Sequence, residues 1–257
     1  MIKAAFFDID GTLLSFKTHQ VSPGTIRAFD RLHSLGIRTF LSTGRAPSLI
    51  PDMPLHFDGR VTTNGSLVFV DGQTLVRNFI PQEEVRAWLD YAKRNQVSTM
   101  LFGESQMWGA LRDEVFDRIH DQLQFKLPPW TDIENLYDFQ TIQIIADVRV
   151  DKDSELNDLL PHCKFPRWHP AFTDVLAKGN SKATGIEKVL HHFGWHREEA
   201  VCFGDGGNDI EMLEYCGIGV AMGNASDEVK AHADYVTDSV DDEGIEKAVN
   251  LLIPTTN

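Results

Sequence analysis

The chain has 257 residues, 42% of them hydrophobic, and a formal net charge of -14 at neutral pH. That length favours two modest domains or one large one, and the charge excludes general affinity for nucleic acid or an anionic membrane, which select basic patches. Cys163, Cys202 and Cys216 cannot all pair and show no metal-binding spacing, which points to a reducing compartment, and with no signal peptide or membrane-length apolar run a cytoplasmic location is expected.

An apolar run from Ala4 gives way to Asp8-Ile9-Asp10-Gly11-Thr12. Residues two apart on a strand project to one side, so Asp8 and Asp10 face one small volume while Ile9 turns into the core. Two acids sharing a site repel. Either their protonation separates or a cation neutralises one of them, and both outcomes suit an active site. Ser22-Pro23 starts a helix running to about Ser34, with Ile26, Phe29, Leu32 and Leu35 at helical spacing and Gly36 as its stop. A buried strand from Ile37 to Leu41 ends in Ser42-Thr43-Gly44-Arg45. Ligands of open α/β sheets bind beyond the carboxyl ends of strands, so this turn lies beside Asp8 if the two strands are neighbours. Asn64-Gly65 reads as a hairpin turn between Val61-Thr62-Thr63 and Leu67-Val68-Phe69-Val70.

From Pro81 the character changes. A helix carrying Val85, Trp88, Leu89 and Ala92 precedes a strand near Val97 to Phe102, then a helix at about Asp113 to Leu123 and the loop Leu127-Pro128-Pro129-Trp130. A strand from Thr141 to Val148, a helix near Ser154 to His162 and a strand around Phe165 to Trp168 complete the block. Prolines at both borders mark it as an inserted domain, giving the division 1–80, 81–170 and 171–257. Gly179-Asn180-Ser181-Lys182 then opens a helix through Ile186, Val189 and Leu190. A lysine in a first turn opposes the helix dipole, and by itself Lys182 reads as a solvent-facing charge. The strand Ala200 to Phe203 ends at Gly204-Asp205-Gly206-Gly207-Asn208-Asp209, followed by a helix bearing Ile210, Met212 and Leu213 whose free N–H groups point at the same turn. Alternating strands and helices predict an α/β fold with a parallel sheet.

In order, F-F-D-I-D-G-T-L-L, S-T-G-R, N-S-K and F-G-D-G-G-N-D, with a large insertion between the second and third, resemble the motif set of the haloacid dehalogenase-like phosphohydrolases. The likeness is to the Cof-type branch with a C2B cap and spans the whole chain. It implies a Rossmann-like doubly wound parallel sheet with an inserted, smaller α/β cap, and a phosphatase acting on small phosphate monoesters such as sugar phosphates. A monomer or weak homodimer is expected. In this resemblance Asp8 is the nucleophile that forms an aspartyl-phosphate, and Asp10 is the acid that protonates the leaving group and then the base that activates water. Charge balance asks for a cation: Asp8, Asp10, Asp205 and Asp209 with a substrate phosphate outweigh Lys182, and hard oxygen ligands without a His/Cys set point to Mg²⁺. The resemblance supplies the ligands as the Asp8 carboxylate, the Asp10 main-chain carbonyl and Asp205, with Asp209 behind them orienting a metal-bound water. Phosphoryl oxygens are expected to meet the Ile9 N–H, the Thr43 hydroxyl, the Gly44 N–H, Lys182 and Asn208.

The cap is expected to close over the core and read the leaving group, with Glu104, Gln106, Trp108, Arg112 and Gln143 as candidate contacts. Arg45 reads as a structural ion-pair former, His191-His192 as a helix-end complement to the dipole, and Asp238, Asp241, Asp242 and Glu243 as a solvated loop. Trp108, Trp130 and Trp168 read either as core or as pocket lining. Two other functions are compatible with these residues: a sugar phosphomutase of the phosphomannomutase type, and a non-catalytic phosphoester-binding protein.

Overall fold

The computed structural model describes residues 1–114, 117, 127–167 and 172–253. The chain divides into two compact units, one comprising Met1–Gly44, Pro51–Val76 and Ser181–Asn257, the other Arg45–Ile50 and Arg77–Asn180.

The first unit begins with β1 (Ala4–Phe7), every residue of which is buried, as befits an apolar run covered on both faces. Ser22 caps α1 (Pro23–Ser34) by accepting from the Thr25 N–H, and Pro23 occupies the first turn, where its missing N–H costs nothing. After β2 (Arg38–Ser42), the strands β3 (Gly59–Thr62) and β4 (Leu67–Val70) form the antiparallel hairpin that Asn64-Gly65 predicts. β5 (Gln73–Arg77) follows.

The insertion contributes α2 (Gln82–Asn95), β6 (Thr99–Phe102), β7 (Met107–Ala110), β8 (Gln143–Ala146), α3 (Asp153–Leu159), β9 (Cys163–Lys164) and β10 (Thr173–Ala177). The chain returns through α4 (Lys182–Phe193), β11 (Ala200–Gly204), α5 (Ile210–Tyr215), β12 (Ile218–Ala221), α6 (Asp227–Lys230), β13 (Tyr235–Val236) and α7 (Gly244–Leu252).

The first sheet has the strand order β13-β12-β11-β1-β2-β3-β4-β5, parallel from β13 to β3. Helices cover both faces. Ile186, Val189, Leu190, Met212 and Leu213 pack with Phe6 and Phe40 in one cluster. On other contacts Phe7 stacks on Phe203 and meets Phe29 of α1, which in turn packs on α7. This is the doubly wound architecture, and β1 sits at its switch point, with β2 on one side and β11 on the other. The register is even: Phe7 pairs with Leu41 and with Phe203, so three strands end at one level.

The second unit holds a five-stranded sheet in the order β7-β6-β8-β10-β9. Leu101, Ile144 and Val175 on one face join Trp88 and Leu89 of α2 and Leu156 of α3. Met100, Phe102, Met107 and Ile145 on the other gather with Ala46 and Phe172. The border expected near Pro170 lies instead between Asn180 and Ser181, because Thr173–Ala177 pairs antiparallel with β8 and β9 and so belongs to this sheet. The first border falls at Arg77 rather than 81, and Arg45–Ile50 joins the second unit. The expected strand at Phe165 to Trp168 is replaced by β9, two residues earlier at Cys163–Lys164. Most of the helix expected at 113–123, together with Trp168 and Pro170, lies outside the described residues.

Cys163, Cys202 and Cys216 are buried free thiols. No helix among the described residues is long and apolar enough to cross a membrane.

Candidate active site

Three loops leave the level ends of β1, β2 and β11, carrying Asp8, Thr43 and Asp205 respectively. A fourth contribution comes from α4. Ser181 caps that helix in a reciprocal box with Thr184: Ser181 Oγ accepts from the Thr184 N–H at 3.2 Å and Thr184 Oγ1 accepts from the Ser181 N–H at 2.9 Å. The cap sets Lys182 in the first helical position. Its side chain is not solvent-facing, as the isolated motif suggests, but completely buried. Nζ donates to Asp8 Oδ1 at 2.6 Å and to Asp209 Oδ1 at 2.5 Å. The repulsion of the ammonium from the helix dipole is offset by two carboxylates, an arrangement a buried lysine needs to stay charged.

Asp8, Asp205 and Asp209 offer carboxylate oxygens that all lie within 4.8 Å of one another. Asp209 is wholly buried, and both of its oxygens are engaged: Oδ1 by Lys182, Oδ2 by the N–H groups of Asp205 at 2.9 Å and Gly206 at 2.8 Å. It therefore holds the Asp205 loop in shape. Asp205 Oδ1 accepts from Thr12 Oγ1 at 2.9 Å, and its Oδ2 from Asn224 Nδ2 at 3.1 Å. Asn224 also donates to the Gly11 carbonyl at 2.9 Å and accepts from the Val240 N–H, tying the first acidic loop to the third. Gly11 has φ +83°, and a Cβ there would stand 2.2 Å from Asp205 Oδ2, so this close approach requires glycine.

The electrostatics follow from this crowding. Burial holds the Asp8 carboxyl well above the ordinary carboxylate range, Lys182 opposes it, and the charges of Asp209 and Asp10 add to it. Asp205 is pushed up to about 7, first by burial and then by Asp209, against the hydrogen bond from Thr12. Burial works against the charge on Lys182, but Asp209 and Asp8 outweigh it and raise its hold on the proton. Three acids against one ammonium leave surplus negative charge on hard oxygen donors, a set that fits a divalent cation.

The remaining core candidates surround this centre. Asp10 is half-buried, and its charge is felt by both Asp8 and Asp205. The Ile9 side chain is in the core, its carbonyl accepting from the Leu13 and Leu14 N–H groups. Thr43 is buried, and Gly44 stands where an added Cβ would lie 3.2 Å from the amide nitrogens of Asn208 and Asn64. Asn208 Nδ2 donates to Asn64 Oδ1 at 3.0 Å. Thus Asp8, Asp10, Thr43, Gly44, Lys182, Asp205, Asn208 and Asp209 come together in one unit.

The five candidates in the insertion do not converge. Glu104 is held by Arg77 at 2.7 Å, and Arg112 pairs with Asp117 at 2.7 Å while lying over the Trp130 ring. Trp108 packs on the helix-covered face of the second sheet. Gln106 is exposed and closes the turn to Gly103. Gln143 lies on the opposite face from Trp108, buried, with Nε2 donating to the buried Asp174 Oδ2 at 3.0 Å and Oε1 without a partner among the described residues. Arg45 donates to the Leu49 carbonyl. Trp130, partly buried, packs against Gly109, where a Cβ would stand 2.5 Å from its ring, and against the Met100 and Phe102 cluster.

Thr12, Asn64, Asn224 and Asp174 are not evident as site residues from the sequence alone. Asn224 carries a usable signal, since Met222-Gly223-Asn224 follows the carboxyl end of β12, the same position that singles out the other loops.

A match to the haloacid dehalogenase-like hydrolase family covers residues 5–249, and the chain belongs to that family. Within it the chain is a phosphoric monoester hydrolase. It is 33% identical to the Bacillus subtilis (strain 168) protein YkrA over 254 residues, 97% of each chain. It is 29% identical to 5-amino-6-(5-phospho-D-ribitylamino)uracil phosphatase YcsE of the same organism, covering 96% of this chain and 94% of that one. The structure is similar to that of the HAD subclass IIB sugar phosphatase BT4131, with a TM-score of 0.89 and 38% identity over 97% of this chain and 98% of the other.

Proposed function

We propose that this protein is an Mg²⁺-dependent phosphatase of small phosphate monoesters, sugar phosphates foremost, working through an aspartyl-phosphate on Asp8. The observation that carries the reading is the buried Lys182 ammonium bonded at once to Asp8 and Asp209, with Asp205 alongside. Such a centre has excess acid for one lysine and matches a site built to hold a cation and a phosphoryl group together.

Asp8, the Asp10 carbonyl and Asp205 would hold the ion, with Asp209 fixing the loop behind them. When bound it supplies positive charge that lets the buried carboxylates stay ionised and that screens the phosphate from them. Asp8 attacks phosphorus in line; its carboxylate oxygen gains the bond that the ester oxygen loses. Asp10, two residues on and more open to solvent, gives a proton to that leaving oxygen, then takes one from the water that releases phosphate. Lys182, Thr43, Asn208 and the N–H groups of Ile9 and Gly44 stabilise charge on the three non-bridging oxygens. Removing one such donor typically costs on the order of 3 kcal/mol in transition-state stabilisation.

Recognition of the organic part falls to the insertion, with Glu104, Gln106, Trp108, Arg112 and Gln143 as candidates. The kinship to a sugar phosphatase and a ribityl-phosphate phosphatase supports polyol esters as the class.

The test is phosphate release from a panel of sugar phosphates, polyol phosphates and nucleotides, with and without Mg²⁺, beside Asp8→Asn. Turnover on polyol esters, abolished by chelation and by Asp8→Asn, is expected. Transfer to a second sugar without free phosphate identifies a mutase instead, and binding without turnover refutes catalysis.

A further inference from the structure

The hairpin turn Thr63–Gly65, singled out in the sequence, has no part in the mechanism above. Its backbone is unusual: Thr63, Asn64 and Gly65 all have positive φ, at 48°, 49° and 86°. Glycine adopts that region freely and asparagine tolerates it, but a β-branched threonine there is a genuine outlier. Such a conformation persists only where the surroundings over-determine it.

Its surroundings are the catalytic loops. The Asn64 N–H donates to the Thr43 carbonyl at 3.1 Å. The Asn64 carboxamide, 6% exposed, accepts from Asn208 across 144 positions of sequence. A Cβ on Gly65 would stand 2.1 Å from the carbonyl oxygen of Ser181, the residue that caps the helix of Lys182, and one on Gly185 would stand 3.1 Å from Gly65 Cα. Closing a hairpin explains the glycine. It does not explain a buried carboxamide spent on Asn208.

We propose that Asn64 is a positioning residue for phosphoryl transfer, holding the carboxamide of Asn208 beside Gly44. With one N–H of Asn208 committed to Asn64 Oδ1, the amide plane is fixed, and its second N–H is left for a phosphoryl oxygen. The inference rests on the reading of Asn208 as a phosphoryl ligand.

A double-mutant cycle on the full chain tests it, using Asn64→Gly, Asn208→Ala and the pair, with p-nitrophenyl phosphate turnover and inhibition by inorganic phosphate as readouts. Asn64→Gly keeps the left-handed backbone open, and melting temperatures verify that each variant is folded. Asn64→Gly is expected to lower kcat/KM about tenfold or more and to weaken inorganic phosphate in parallel. The double variant should lose no more than Asn208→Ala alone, because one residue acts through the other. Losses that multiply, or an Asn64→Gly enzyme within twofold of wild type, overturn the proposal while leaving Asn208 in place. A silent Asn208→Ala overturns both.

Discussion

Replacing Lys182 by methionine removes a fully buried ammonium and leaves Asp8 and Asp209 facing each other without their shared partner. Breaking a buried ion pair from one side typically costs about 3–5 kcal/mol. For a chain of this size that is roughly 6–20 °C in melting temperature. The loss must depend on pH. Burial already holds the Asp8 carboxyl above its ordinary range in the presence of Lys182, which opposes the shift. A carboxyl that binds its proton more tightly folded than unfolded contributes stability at low pH, and that contribution disappears as pH rises through the folded value. Without Lys182 the folded value moves higher, so the deficit of Lys182→Met against wild type should be small at pH 5 and largest at pH 8. Thermal melts followed by circular dichroism at both pH values, with EDTA present, measure it. An equal deficit at the two pH values would show that the lysine is only filling space, and no deficit would show that it is not buried between these acids.

Two further outcomes follow from neighbours of that lysine. Asp205, pushed up to about 7, binds its proton more tightly in the folded state, so metal-free protein should lose stability as pH climbs from about 4 through 7. In Asp205→Asn that part of the slope should vanish, and melts across the same range at fixed ionic strength check it. Asn224 orients Asp205 and the Gly11 carbonyl together; Asn224→Ala should weaken Mg²⁺ binding about 10–100-fold, the usual effect of removing a group that orients a ligand. Titration calorimetry with Mg²⁺ alone reads this without any turnover, and an unchanged affinity would refute it.

Much of the first unit is local in origin and so was legible. Ser22-Pro23 caps its helix from four adjacent residues, and the apolar run into Asp8 announces a buried strand with its end exposed to chemistry. What the sequence hides is partnership over distance. Lys182 looks like a surface charge because its acids stand 174 and 27 positions away. The edge of the insertion is hidden for the same reason: Pro170 is a local stop signal, whereas the allegiance of Thr173–Ala177 is decided by pairing with Gln143–Ala146. The short strands Gln73–Arg77 and Met107–Ala110 carry no clear alternation and so give no sequence signal. In the insertion, chemistry alone groups Trp108 with Gln143, but the pleat sends them to opposite faces.

The even ending of β1, β2 and β11 has a consequence for biogenesis. β1 leaves the ribosome well before its partner at Ala200–Gly204, which is synthesised almost 200 residues later, after the whole insertion. Contacts of such long sequence separation form slowly. Until β11 and its turn are made, a nascent chain holds Asp8 without Asp205 and Asp209. The acidic cluster of Asp8, Asp205 and Asp209 is thus complete only once β11 and the turn after it have been made.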